Sequence, residues 1–118
     1  MDRKVFEEKY KNACEEVNTQ YMKNVVNMSI DNSSIEVKGC KNLVIAMEEL
    51  AELSQEVSKI IRGKGDKMGL LEEYADVLVV LEWIKKIANL KDEEIARALN
   101  VKLNKMYAYT TELENSTQ

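Results

Sequence analysis

The chain reads as an all-α protein, a helical bundle in a single domain. Three observations predict this class. The 118 residues contain no proline and only four glycines, so little interrupts a helix. Apolar residues recur at three- and four-residue spacing along most of the sequence. The breaks between these stretches are short and rich in Asn, Ser and Gly, as connections in a bundle are. A chain of this length holds one domain.

The first helix is predicted over residues 3–28, where Phe6, Tyr10, Ala13, Cys14, Val17, Tyr21 and Met28 repeat at helical spacing among Glu and Lys. The segment "SIDNSSIEVKG" breaks that pattern and reads as a loop, so residues 1–40 form an N-terminal helix and loop. A second helix runs over about residues 41–62, with Leu43, Ala46, Met47, Leu50, Leu53, Val57 and Ile61 on one face. Gly63 is its expected C-terminal stop, and Arg62 in its last turn helps end it. The third helix covers about residues 68–89. The fourth starts near Asp92, where "KDEE" places acids at a helix N-terminus, and runs to about residue 110. Residues 41–110 thus form the helical core, and residues 111–118 a frayed tail.

The third helix carries the oily run "LLEEYADVLVVLEWI". Tyr74, Val77, Leu81, Ile84 and Ala88 fall within roughly 40° of Leu70 on a helical projection. A helix apolar on so many sides is buried on several of them. One subunit of this size covers it poorly, so a homo-oligomer, dimer or tetramer, is expected.

Two acids interrupt this surface. Glu73 falls inside the apolar arc and Asp76 at its edge, where an unpaired carboxylate is costly. On the second helix Glu49 and Glu52 share a face, and Glu56 projects between them. The segments "EELAEL" and "EEYADV" have the same form, Glu-Glu-x-Ala-acid-apolar. Packed antiparallel, the two helices would bring at least four carboxylates together. Protonation or divalent cations relieve such repulsion, and an all-oxygen donor set suits Mg²⁺ or Mn²⁺.

The chain has no histidine. That rules out the Glu-x-x-His di-iron bundle and a histidine-based triad, and it disfavours a catalytic zinc site. A net charge of −4 argues against nucleic acid polymers as partners. The charged start "MDRKVFEEKY" is no signal peptide, and no apolar run is long enough to span a bilayer. Cys14 and Cys40 lack metal-ligand spacing and suit a reducing compartment. A cytoplasmic protein without membrane contact is expected.

Glu49-x-x-Glu52, a gap of 20 residues, then Glu73-x-x-Asp76 resembles the signature of the MazG-like nucleoside triphosphate pyrophosphohydrolases, of the all-α NTP pyrophosphatase superfamily. The wider likeness runs through "AMEELAELSQEV", "LLEEYADVLVVLEWI" and "LKDEEIARALNVKLNKM", roughly residues 43–106. Residues 1–40 match no feature of that family. The resemblance implies a four-helix core, a homo-oligomer, Mg²⁺ as cofactor with Mn²⁺ able to replace it, and Glu49, Glu52, Glu73 and Asp76 as metal ligands. It implies cleavage of a nucleoside triphosphate between the α and β phosphates, giving monophosphate and pyrophosphate, with sanitation of the nucleotide pool as a role. Phosphoribosyl-ATP pyrophosphatase and a dUTP- or dCTP-preferring hydrolase share the pattern. A non-catalytic helical interaction module is the alternative of another class.

The base that orients water is Glu48, Glu49 or Glu72, and the sequence does not choose among them. Similar proteins carry a basic residue near Lys102. This lysine sits on the apolar stripe of Ile95, Leu99 and Met106 and either meets phosphate or snorkels to solvent. Lys105 is the second choice, and Lys64 and Lys67 are weaker ones. Trp83 and Tyr74 read as core more simply than as base-stacking groups, and Asn100 and Asn104 as an exposed polar face.

Overall fold

A computed structural model describes residues 1–30 and 40–116. The described residues are all helical, in five helices with no strand: α1 (Arg3–Lys11), α2 (Thr19–Ser29), α3 (Cys40–Ile61), α4 (Lys67–Ile87) and α5 (Asp92–Ser116). The loop expected from the "DNSSIEVKG" stretch lies outside the described residues. The chain divides into two compact units, Met1–Ile87 and Ala88–Gln118.

The single N-terminal helix is corrected to two. Asn12 closes α1, with Asn12 N donating to Lys9 O and Ala13 N to Tyr10 O. Asn18, in extended conformation, opens α2 by accepting from Tyr21 N at 2.9 Å. Asparagine competes for backbone groups and so favours helix ends over interiors. The expected stripe is lost with the continuous helix: Cys14, Val17, Tyr21 and Met28 are exposed, and Val26 is the buried residue of α2.

Helix α3 ends as expected. Gly63 has φ +72°, its N–H donates to Ile60 O, and Lys64 N donates to Lys59 O at 2.8 Å. This pair of bonds is the Schellman arrangement, which needs a left-handed residue that glycine supplies without strain. Arg62 Nε donates to Ser58 O, adding a cation to the last turn. Asp66 caps the start of α4 through Met68 N, and left-handed Asn89 follows its end. At α5, Glu94 Oε1 accepts from Lys91 N at 3.0 Å, one half of a capping box. Helix α5, expected to end near residue 110, continues to Ser116.

In the first unit α4 packs chiefly on α3 and touches α1 and α2. Trp83 Nε1 donates to Ser29 Oγ at 2.8 Å, and Asn42 Nδ2 to Ser29 O, tying α2 to α4 and α3. Helices α3 and α4 are rotated from the faces their apolar residues suggest. Helix α3 buries Asn42, Ala46 and Glu56, while Met47, Leu50, Val57 and Ile61 are exposed. Helix α4 buries Gly69, Glu72, Glu73, Val77 and Val80. Tyr74 and Leu81, expected in the core, are 56 % and 45 % exposed. The packed seam therefore carries acids, and much of the oil lies outside it. No described helix is long and apolar enough to cross a membrane.

Candidate metal centre

Antiparallel packing of α3 on α4 sets acids opposite acids. Glu49 meets Asp76, Glu52 meets Glu73, and Glu56 faces Gly69 one turn further along. Both helices advance by three or four residues between these levels, so the facing side chains stay in register.

Two overlapping groups result. Glu49, Glu52 and Glu73 each offer a carboxylate oxygen, all within 4.8 Å of one another. Glu72, Glu73 and Asp76 do the same. Glu73 belongs to both and is only 9 % exposed. Glu52 is exposed, Glu49 and Asp76 half-buried, and Glu72 buried.

The electrostatics follow from this crowding. Burial, with Asp76 and Glu52 close by, pushes Glu49 up to about 7. Burial and the neighbouring Glu52 push Glu73 up to about 7 as well. Asp76 is also raised, mainly by burial, although its hydrogen bond with Glu49 and the charge of Arg3 pull it back. The acid–acid contacts need a shared proton or a cation between them. Glu49 Oε2 and Glu73 Oε2 are buried and meet no hydrogen-bond donor. Unpartnered oxygens within an all-carboxylate set fit a hard divalent cation. Glu49, Glu52 and Glu73 would hold it, with Asp76 beside them.

Two cations act on the cluster: the N-terminal ammonium, whose charge pulls Asp76 down, and Arg3. Arg3 of α1 places Nε 3.2 Å from Glu72 Oε1 and Nη2 3.9 Å from Glu73 Oε1. A Cβ on Gly69 would stand 2.8 Å from Arg3 Nη1 and 3.0 Å from Glu56 Oε2, so glycine lets the guanidinium lie against the helix. Glu56 also takes Lys59 Nζ at 3.0 Å.

Sequence reasoning missed Arg3, because nothing about an arginine in a polar N-terminal helix marks it. Gly69 was the available signal: a glycine in the first turns of an otherwise oily helix costs stability unless something approaches closely. Of the other expected residues, Glu48 is exposed and outside both carboxylate groups. Glu72 is ion-paired. Lys102, Lys105, Asn100 and Asn104 are exposed on α5, in the second unit. Lys67 lines a cavity of about 400 Å³ with Ile60, Gly63, Gly65, Asp66 and Leu70.

No family model, no curated protein and no solved structure matches the chain.

Proposed function

We propose that the protein is a Mg²⁺-dependent nucleoside triphosphate pyrophosphohydrolase of the MazG-like kind, cleaving (d)NTP to (d)NMP and pyrophosphate. One observation carries the reading. Four acids of the Glu-x-x-Glu and Glu-x-x-Asp pairs face each other across one seam, with two buried oxygens lacking any donor. A structural ion network would supply donors to those oxygens. A divalent cation would satisfy both.

The proposed ligands are Glu49, Glu52, Glu73 and Asp76. A divalent cation bound there supplies charge for the phosphates and lowers the pKa of a bound water. The chain's own residues do the rest. Glu49 and Glu73 each keep one oxygen that meets no hydrogen-bond donor, so either can orient a water beside the ion. Between them Glu49 is favoured as base, since Glu73 is shared by both carboxylate groups and by Arg3. Glu72 is tied to Arg3, which leaves it the role of holding that cation. Lys102 and then Lys105 are the proposed phosphate contacts, on the resemblance alone. The proposed assembly is a homo-oligomer around a four-helix core. The exposed side chains of Tyr74, Leu78 and Leu81 on α4, and of Met47, Leu50 and Ile61 on α3, support it.

Pyrophosphate release from a panel of nucleoside triphosphates, with Mg²⁺ and with chelator, tests the proposal. Release that needs Mg²⁺ and is lost in Glu49→Gln is expected. Inertness toward the whole panel, phosphoribosyl-ATP included, refutes it. The exposed apolar faces would then favour a non-catalytic assembly module.

A further inference from the structure

The turn between α3 and α4, "GKGDKMG", holds the cavity of about 400 Å³ lined by Ile60, Gly63, Gly65, Asp66, Lys67 and Leu70. That volume falls within the range of small-molecule sites, about 300–1,000 Å³. The two glycines shape it. A Cβ on Gly65 would stand 2.6 Å from Ile60 Cγ1, so the turn lies directly on Ile60, while left-handed Gly63 meets nothing within 4 Å and leaves its side open. Ile60 and Leu70 supply apolar walls. Asp66 and Lys67 bring opposite charges, and among the described residues neither takes part in a salt bridge.

The cavity continues the line of the acid seam. Glu56 faces Gly69 one turn beyond the Glu52–Glu73 level, and Ile60 is one turn beyond Glu56 on α3. On α4, Leu70 and Lys67 precede Glu73 by about 4.5 and 9 Å along the helix axis. A nucleotide whose phosphates meet a cation on Glu49, Glu52 and Glu73 carries its base one ribose further away, which is the reach to this cavity. We infer that the cavity takes the base of the nucleotide substrate and that Asp66 and Lys67 select guanine. The inference rests on the hydrolase reading above and adds the base to it.

The choice of base follows from the two charged groups. Along one edge guanine presents the O6 acceptor, then N1–H, then the N2 amino group. A carboxylate accepts only, and it can take two neighbouring N–H donors at once, while a lysine ammonium donates only. Guanine therefore satisfies both, with Asp66 accepting from N1 and N2 and Lys67 Nζ donating to O6. Adenine and cytosine offer the carboxylate one amino group and no second N–H beside it. The N3–H of uracil lies between two carbonyls that repel an acid. Asp66 Oδ1 also accepts from Met68 N at 3.3 Å, which uses one of about four lone-pair sites on the carboxylate and holds the side chain at the start of α4. Bonds to ionised groups are the stronger kind, so the third bond made by guanine carries real discrimination.

Amide chemical shifts of the whole chain, titrated in Mg²⁺ with GMP, AMP, CMP, UMP and xanthosine monophosphate, test this without turnover. GMP is expected to move Gly63, Gly65, Lys67 and Leu70 and to bind about tenfold tighter than AMP, CMP or UMP. Asp66→Asn keeps a good helix cap but exchanges one acceptor for a donor. It should bind GMP about tenfold more weakly and gain affinity for xanthosine monophosphate, whose carbonyl stands where guanine has its amino group. No shift within residues 60–70, equal binding of GMP and AMP, or unchanged GMP affinity in Asp66→Asn overturns the inference. Should Asp66→Asn not fold, Lys67→Ala decides: about tenfold weaker GMP binding supports the site, and unchanged binding refutes it. Pyrophosphate release from GTP, ATP, CTP and UTP separates this inference from the reading beneath it. Equal Mg²⁺-dependent release from all four keeps the hydrolase and overturns the guanine site. GMP shifts at residues 60–70 with no release from any triphosphate support the site and overturn the hydrolase.

Discussion

Glu73→Gln is the perturbation whose sign is least intuitive. Glu73 is nine-tenths buried, and its carboxyl rises from an ordinary 4.5 to about 7. Each pKa unit is worth about 1.4 kcal/mol, so ionising Glu73 in the folded chain costs about 3 kcal/mol more than in the unfolded one. Part of that cost is repulsion shared with Glu52, Asp76 and Glu49, and Arg3 at 3.9 Å returns little. A net gain of about 1–2 kcal/mol on replacing Glu73 by neutral Gln is the reasonable figure. A raised folded-state pKa makes the wild type most stable below about 4.5, with stability lost as pH rises to about 7. The assay is urea unfolding in chelator at pH 5 and pH 8. At pH 5 the two proteins should differ by much less than at pH 8, since most of the loss falls between these values. At pH 8 the variant should be the more stable, by an amount equivalent to about 3–8 °C in Tm. A variant less stable than wild type at pH 8 would refute the reasoning, because it would mean that Arg3 fully compensates the charge.

Three further predictions probe the frame around the site. Gly63→Ala should cost about 1 kcal/mol, read by thermal unfolding, because its φ is +72° and a Cβ meets nothing within 4 Å, leaving backbone strain alone. Asn18→Ala removes the cap on Tyr21 N and should cost about 1 kcal/mol, with amide protection lost first in residues 19–22. Gly69→Ala should leave Tm within about 2 °C, since its helix-propensity gain offsets the displacement of Arg3. It should nonetheless lower amide protection of residues 3–11.

The helical class, the ends of α3 and the pairing of acids across two helices were legible because each rests on local signals. These are the absence of proline, Gly63 after an amphipathic run, and the repeated Glu-Glu-x-Ala-acid pattern. The N-terminal break was not, since Phe6 through Met28 keep helical spacing on both sides of it and only Asn12 and Asn18 mark the ends. Apolar periodicity also misjudged which faces pack. Tyr74, Leu81 and Met47 outweigh Glu73 and Glu49 on any hydropathy projection, yet the seam centres on the acids. A site that gathers charge works against the rule by which sequence is read, and Arg3, arriving from another helix, leaves Gly69 as its one trace on α4.

The most direct measurement is anomalous diffraction from crystals soaked in Mn²⁺. The account predicts a peak between Glu49, Glu52 and Glu73, about 2.0–2.3 Å from their carboxylate oxygens. A saturated soak with no peak at that seam, or with Mn²⁺ bound only to exposed acids elsewhere, would contradict it.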